Sequence, residues 1–241
     1  MVLLEEKFIV IAHRGASALE PENTIAAFRK AVDMGADAFE LDVRRTSDGK
    51  LIVLHDDNLK RVANIDKKVS ELAYDDIRNI KVFGKEPIPT LEEVLEIFAN
   101  RIPIFIELKD EGIEEEVVRL IEAYKAIDNV LIISFNYESL KRVKQINSSI
   151  DIGLLTYRYP IPIDEAVKMK AYAILPRYNI VTPNIVREIH AKKLKIFTWT
   201  VNDVALALKM ISYGVNGIAT DNPGIRSSIQ KQTTLTKYGH S

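Results

Sequence analysis

Between residues 8 and 220 of this 241-residue chain, short β-branched runs alternate with segments whose apolar residues recur at helical spacing. The runs are Phe8 to Ile11, Ala38 to Leu41, Ile104 to Leu108, Val130 to Ser134, Asp151 to Leu155, Ala171 to Leu175, Lys195 to Thr200 and Gly217 to Thr220. This alternation constrains the fold more than any other feature. Parallel strands need a crossover of a dozen or more residues, and eight strand-crossover units in a chain of this length fit an α/β barrel. The intervening segments suit its outer ring: Thr24 to Met34 puts Ile25, Phe28 and Val32 on one face, and Thr90 to Asn100 does so with Leu91, Val94, Leu95 and Phe98. Thr90 with Glu93 is a capping box, Thr182-Pro183 is an N-cap with proline at the first helical position, and Gly35 and Gly214 fall at helix C-termini.

One stretch breaks the pattern. Val43 to Asp56 has room for a hairpin turned at Asp48-Gly49 but not for a crossover helix, so the second strand is expected to continue above the barrel mouth and return. Residues 57–89, with a helix-like piece from Ser70 to Ile80, then read as a small insertion over the mouth. The expected organisation is a single barrel domain over residues 1–230, carrying insertion 57–89, and a C-terminal tail over residues 231–241.

Charge and composition limit the partners. With 33 basic against 34 acidic residues the net charge is -1, which offers no field for a nucleic-acid backbone, so an anionic ligand must be held locally by a metal or a few placed cations. The absence of cysteine excludes disulfides, thiolate catalysis and thiolate metal sites. Glu5 and Glu6 interrupt the place of a leader's apolar stretch, and no apolar run approaches the ~18 residues of a membrane span. The expectation is a soluble, cytoplasmic protein without a stable membrane anchor; a homo-oligomer is left open.

In α/β barrels chemistry collects at the C-terminal ends of the strands. There this chain places His13-Arg14-Gly15, Glu40-Leu41-Asp42, His55-Asp56, Glu107-Leu108-Lys109 and Trp199-Thr200-Val201-Asn202. Residues two apart on a strand share a face, so Glu40 with Asp42, and Glu107 with Lys109, point together, and that face is expected to be the barrel interior. Three converging carboxylates repel one another unless a cation lies between them, and all-oxygen donors suit Mg²⁺ or Ca²⁺ better than zinc. Glu40, Asp42 and Glu107 are therefore candidate metal ligands, the plainer reading being that each acid pairs with a nearby Arg or Lys. Of the four histidines, His13 and His55 are the two at the predicted mouth, where imidazole can pass protons near neutral pH. Arg14 and Lys109 either contact a phosphate or pair with the ligand carboxylates. Trp199, the sole tryptophan, either covers the apolar side of a small polyol or packs without function.

Taken in order, His13-Arg14-Gly15, Pro21-Glu22-Asn23-Thr24, Glu40-Leu41-Asp42-Val43, Leu54-His55-Asp56, Pro89-Thr90-Leu91-Glu92-Glu93, Glu107-Leu108-Lys109, Ser134-Phe135, Thr198-Trp199-Thr200-Val201-Asn202 and Gly217-Ile218-Ala219-Thr220-Asp221-Asn222-Pro223 resemble the glycerophosphodiester phosphodiesterase family from about residue 9 to residue 223. The resemblance implies a distorted TIM (β/α)8 barrel, with His13 and His55 as the acid/base pair and Glu40, Asp42 and Glu107 on a divalent cation, Mg²⁺ or Ca²⁺ with Mn²⁺ allowed. It further implies Arg14 and Lys109 on phosphate, and Phe135 and Trp199 beside the glycerol. One departure stands out. The family usually continues after its second histidine with Asp-x-Thr-Leu-x-Arg-Thr-Thr, where this chain has Asp56-Asp57-Asn58-Leu59-Lys60-Arg61-Val62-Ala63. The expected effect is on the insertion and the mouth it covers, and so on the preferred alcohol.

The implied reaction is metal-dependent hydrolysis of a glycerophosphodiester to sn-glycerol 3-phosphate and an alcohol, by way of a cyclic phosphate. The runner-up keeps fold and metal and acts on lysolipids, as lysophospholipase D types do. Two further rivals are an aldolase-like barrel with Lys109 as Schiff-base lysine, and a non-catalytic binding barrel.

Overall fold

The eight β-branched runs all form strands, and they pair in one closed ring. In chain order the strands are β1 (Ile9–Ala12), β2 (Ala38–Arg45), β3 (Leu51–Val53), β4 (Lys81–Val82), β5 (Glu86–Pro87), β6 (Ile104–Leu108), β7 (Val130–Ser134), β8 (Asp151–Thr156), β9 (Ala173–Pro176), β10 (Lys195–Thr198) and β11 (Gly217–Thr220). This is a computed structural model that describes residues 8–238, with side chains as far as residue 232. The order β1-β11-β10-β9-β8-β7-β6-β2, all parallel, is closed by β1 on β2, making an eight-stranded α/β barrel of the TIM type. The hairpin expected after the second strand is present: β3 runs antiparallel to β2, with Val43 opposite Val53, so β3 is an extra strand outside the ring.

Among the described residues ten α-helices accompany the strands: α1 (Ile25–Asp33), α2 (Lys60–Ala63), α3 (Tyr74–Ile77), α4 (Leu91–Phe98), α5 (Glu114–Ala123), α6 (Tyr137–Ile146), α7 (Ile163–Lys168), α8 (Pro183–Ala191), α9 (Val204–Tyr213) and α10 (Ile225–Tyr238). Their starts follow the sequence signals. Thr24 Oγ1 accepts from Ala27 N at 3.2 Å, Thr90 and Glu93 satisfy each other's backbone N–H groups, and Thr182 caps α8 with Pro183 following. No described helix is long and apolar enough to cross a membrane. The expected tail boundary at residue 230 falls inside α10; residues 239–241, like the leader reading on residues 1–7, lie outside the described residues.

Alternation along the strands sorts side chains into two cores. Outward residues such as Val10, Phe39, Leu41 and Ile106 pack under the helices, while Ile9, Ile11, Ala38, Phe105, Leu131, Ile133 and Phe197 fill the barrel interior. Phe39 of β2 stacks on Phe28 of α1 at 4.5 Å between ring centroids, and meets Phe98 of α4 edge-on at 5.3 Å. Each such pair adds about 0.5–1.5 kcal/mol beyond area burial. Together they clamp β2, the strand carrying two of the three expected metal ligands, between two helices.

The insertion has a small core of its own, in which Leu59, Val62, Val69, Leu72, Ile77 and Val82 pack with Ile52 and Leu54 of the hairpin arm. The single helix expected over Ser70 to Ile80 is instead a 3-10 turn at Val69–Glu71 and the one-turn α3, separated by extended backbone at Leu72 and Ala73. Tertiary pull accounts for the break. Leu72 O accepts from Ser47 N at 2.9 Å, and Asp48 accepts from Tyr74 N, so the hairpin turn holds this backbone out of a helix.

Candidate active site

The ring's C-terminal end is built first by the turn after β1. Arg14 and Gly15 both adopt positive φ, 56° and 78°, and Ala16 N then donates to Ala27 O of α1 at 3.0 Å. A Cβ on residue 15 would lie 2.7 Å from Ala27 C, so only glycine allows the turn to press this closely on the helix. The turn aims the Arg14 backbone N–H at Glu40, whose Oε2 accepts at 2.9 Å.

Inward alternation on β2 and β6 then assembles the carboxylates. Asp42 lies beside Glu107 in register, and one oxygen each from Glu40, Asp42 and Glu107 lies within 4.8 Å of the other two. All three are buried. Lys109 Nζ donates to Glu107 Oε1 at 2.6 Å and stands 3.1 Å from Asp42 Oδ1, while Arg14 Nε stands 3.3 Å from Asp42 Oδ2. Asn23 Nδ2 donates to Asp42 Oδ2 at 2.7 Å. Arg14 and Lys109 thus do pair with carboxylates, the plainer of the two sequence readings, yet both also line the cavity.

Two cations against three carboxylates leave the cluster under-compensated. Burial, reinforced by repulsion from Asp42 and Glu107, holds the Glu40 carboxyl well above the usual carboxylate range. Burial and Asp42 likewise raise Glu107. Asp42 goes the other way: burial acts against it, but Lys109 and Arg14 outweigh burial and keep it ionised. Glu40 Oε1 is buried without a hydrogen-bond donor, and the only partner of Asp42 Oδ1 is the Lys109 ammonium 3.1 Å away. An orphan acceptor among repelling carboxylates fits a cation, and the all-oxygen donor set fits a hard one such as Mg²⁺ or Ca²⁺. Glu40, Asp42 and Glu107 could hold it. The Schiff-base rival fares poorly, because Lys109 is ion-paired: burial pulls its pKa down, but Asp42 and Glu107 raise it overall, away from the neutral amine a nucleophile needs.

The two histidines line the same cavity. His13 Nδ1 lies 2.7 Å from Asp221 Oδ1, and His55 Nδ1 lies 2.7 Å from Asp56 Oδ1. Both acids are held below the ordinary carboxyl value. Burial opposes this in each, but bonds from His13, Asn202 and Ser17 outweigh it at Asp221, and bonds from Arg61 and His55 do so at Asp56. An ionised carboxylate only accepts, so each Nδ1 must donate, and Nε2 becomes the basic nitrogen of each neutral ring. Burial lowers the His55 pKa, leaving that ring able to accept a proton at neutral pH.

The cavity, about 300 Å³, reaches from these polar groups down to Ile11, Phe105, Ile133 and Leu175 of the barrel interior. Its wall at β7 and β10 is aromatic: Phe135 meets Trp199 edge-on at 5.6 Å and Tyr157 at 5.5 Å, and Trp199 Nε1 donates to Leu175 O at 2.7 Å. Every expected site residue except Asp42, which sits directly behind Arg14 and Lys109, lines this space. The cavity lining includes no residue of the insertion. Asn58 replaces threonine while its Oδ1 still accepts from Lys60 N at the start of α2, and Val62 is buried in the insertion's own core.

The sequence reading gave no role to the side chains that fix these groups: Asp221 and Asn202 behind His13, Asn23 behind Asp42, and Glu22 and Arg61 behind Arg14 and His55. Most stood in the motifs already quoted. Their partners, however, are as many as 208 residues away, which strand alternation alone does not reveal.

Carboxylates, histidines and cations that meet at the strand ends of a barrel make an enzyme site, and the relatives place its class among the phosphoric diester hydrolases. A family model described as the glycerophosphoryl diester phosphodiesterase family matches residues 13–225. A glycerophosphodiester phosphodiesterase of Caldanaerobacter subterraneus subsp. tengcongensis is 39% identical over 232 residues, covering 90% of this chain and 95% of the relative. One from Bacillus altitudinis is 35% identical over 240 residues, covering 92% and 98%. Among solved structures, an Oleispira antarctica phosphodiesterase in complex with the product sn-glycerol-3-phosphate superposes with a TM-score of 0.86 at 28% identity, covering 94% of this chain and 96% of that one. The chain belongs to the glycerophosphoryl diester phosphodiesterase family.

Proposed function

We propose that this enzyme hydrolyses glycerophosphodiesters to sn-glycerol 3-phosphate and an alcohol, with His13 and His55 as the acid/base pair and a divalent cation, Mg²⁺ or Ca²⁺ with Mn²⁺ allowed, on Glu40, Asp42 and Glu107. One observation carries the reading: two imidazoles, each locked by a carboxylate at Nδ1, share one small cavity with a cluster of carboxylates in which Glu40 Oε1 has no partner. The product held by the Oleispira antarctica relative supports the choice of substrate.

When bound, the cation supplies Lewis-acid polarisation of a phosphate oxygen and a glycerol hydroxyl. The chain's own groups do the rest. Arg14, through its Nη groups, and Lys109 meet the phosphate charge, and Phe135 and Trp199 cover the glycerol carbons. Nε2 of one histidine takes the proton of the glycerol 2-hydroxyl as its oxygen attacks phosphorus. Nε2–H of the other donates to the leaving alkoxide oxygen as that P–O bond breaks. The cyclic phosphate is then opened by water with the two rings in exchanged roles, which returns each to its starting protonation state. The carboxylates of Asp221 and Asp56 stabilise each imidazolium as it forms.

The test is release of glycerol 3-phosphate from glycerophosphocholine and glycerophosphoethanolamine with Mg²⁺, Ca²⁺, Mn²⁺ or EDTA, comparing wild type with His13→Ala, His55→Ala and Glu40→Ala. Cation-dependent release that is lost in all three variants is the expected result. Release that persists in EDTA, or that survives loss of either histidine, would overturn the assigned roles; no release with any cation would overturn the substrate. An analogue lacking the 2-hydroxyl should be inert if the cyclic route holds.

A further inference from the structure

Glu22, Asp56 and Arg61 form a charged set of which the chemistry above uses only the Asp56 carboxylate. Arg61 projects from α2, the single helical turn that opens the insertion, and this turn is firmly seated. Leu59 and Val62 on either side of it are buried in the insertion's core, Lys60 N donates to Asn58 Oδ1 at 2.9 Å, and Val62 O accepts from Phe83 N at 2.7 Å.

From this position the guanidinium meets two carboxylates at once. Nε donates to Asp56 Oδ2 at 2.7 Å and Nη2 to Asp56 Oδ1 at 3.2 Å; Nη1 donates to Glu22 Oε2 at 2.8 Å and Nη2 to Glu22 Oε1 at 2.7 Å. Both acids are shared with the site. Asp56 Oδ1 is the oxygen that takes His55 Nδ1, and Glu22 Oε1 is the oxygen that takes Arg14 Nη1 at 3.0 Å. A planar fork engaging two carboxylates in parallel fixes the plane of each, which a lysine's point charge cannot do.

We infer that Arg61 is a positioning residue, a strap by which the insertion sets the orientation of His55 through Asp56 and of Arg14 through Glu22. The insertion contributes nothing to the cavity wall; its contribution to turnover is this one side chain. The inference rests on the proposed diester hydrolysis, in which His55 moves a proton and Arg14 meets phosphate. The two arms have separable kinetic signatures, because His55 acts on the chemical step whereas Arg14 also holds the ground-state phosphate.

The experiment is steady-state hydrolysis of glycerophosphoethanolamine by wild type, Arg61→Ala and Arg61→Lys, then by Arg61→Ala combined with Asp56→Asn or with Glu22→Gln. Arg61→Ala should lower kcat by about 10- to 100-fold, the scale for a misaligned catalytic group. It should raise KM by about three- to fivefold, the scale of one partly exposed ion pair. Arg61→Lys should recover less than half of the lost kcat on a logarithmic scale. In the Asp56→Asn background the further kcat effect of Arg61→Ala should vanish while the KM effect remains; in the Glu22→Gln background the reverse should hold.

Kinetics within twofold of wild type for Arg61→Ala would overturn the inference, as would equal losses in all three backgrounds, which mark general damage to the fold. Absence of turnover in the wild type would defeat the functional reading instead, and the strap is then judged by long-range ¹H–¹⁵N spectra of the histidines. Those spectra should show His55 protonated at Nδ1 in wild type and mixed between tautomers in Arg61→Ala. An unchanged tautomer would overturn the strap.

Discussion

Replacing Gly15 by alanine should cost far more than replacing Gly35 by alanine, although both residues have nearly the same φ, 78° and 73°. Each substitution forces an L-residue into the left-handed region, at about 1–2 kcal/mol. At Gly35, just past α1, nothing lies within 4 Å of the added carbon, so that strain is the whole cost. At Gly15 the carbon would sit 2.7 Å from Ala27 C and 2.8 Å from Ala27 O. Backbone atoms in the first turns of a capped helix cannot step aside as a side-chain tip can. Overpacking of this kind adds about 1–3 kcal/mol, giving about 2–5 kcal/mol at Gly15 against about 1–2 at Gly35. For a domain of this size the Gly15 change should lower the melting temperature by about 4–20 °C. The displaced turn also carries the Arg14 N–H away from Glu40, so turnover should fall in the folded Gly15→Ala protein and persist in Gly35→Ala. The assay is urea unfolding of both variants beside wild type, followed by glycerol 3-phosphate release well below the transition. A Gly15→Ala cost no larger than the Gly35→Ala cost would refute the steric argument.

Asp221→Asn should lower kcat by about 100-fold or more with unfolding midpoint little changed, because the amide no longer enforces an Nδ1–H tautomer on His13; full activity would refute that role. Mg²⁺ or Ca²⁺ at about 100 times its dissociation constant should stabilise the wild type by about 2.7 kcal/mol, or about 5–11 °C in melting temperature. The same addition to Glu40→Gln should give a much smaller shift, and no shift in wild type would count against the cation site. Asp56 should titrate at about 2 rather than near 3.8, since Arg61 and His55 outweigh the effect of burial. The folded value lies below the unfolded one, so its contribution to stability is complete above about pH 4 and is lost as pH falls toward 2. Carboxyl-carbon NMR of Arg61→Ala should show this midpoint move up; a midpoint still near 2 would rule out Arg61 as its main cause.

Much of this was legible in the chain. Strand alternation placed Glu40 with Asp42 and Glu107 with Lys109 on one face each, because a period of two leaves no other choice, and the polar character of that face at the strand ends suggested the barrel interior. The turn at Asp48-Gly49 and the caps at Thr90 and Thr182 follow from local chemistry and are present as read. What escaped was non-local. The Ser70 to Ile80 segment has helical spacing, yet Leu72 is drawn to the hairpin by Ser47 and the helix breaks. Asp221 looks like any strand-end acid until β11 is set beside β1. Arg61 stands in a stretch noticed for its departures at Asn58, Val62 and Ala63, yet it is the unchanged arginine among them that reaches back to the site.

The pairing of β1 with β11 joins residue 13 to residue 221, the first and last positions of the proposed site. His13 N donates to Thr220 O at this seam, and the next side chain along is the carboxylate that orients the imidazole. A nascent or truncated chain short of its last strand can therefore hold every other catalytic group and still lack a competent first histidine. Turnover becomes a sensor of ring closure, and its recovery during refolding times the meeting of the two chain ends. Cutting the chain at the Asn147–Ser149 loop and joining the original termini through a flexible linker would shorten the sequence separation between His13 and Asp221, and activity should then recover earlier in refolding.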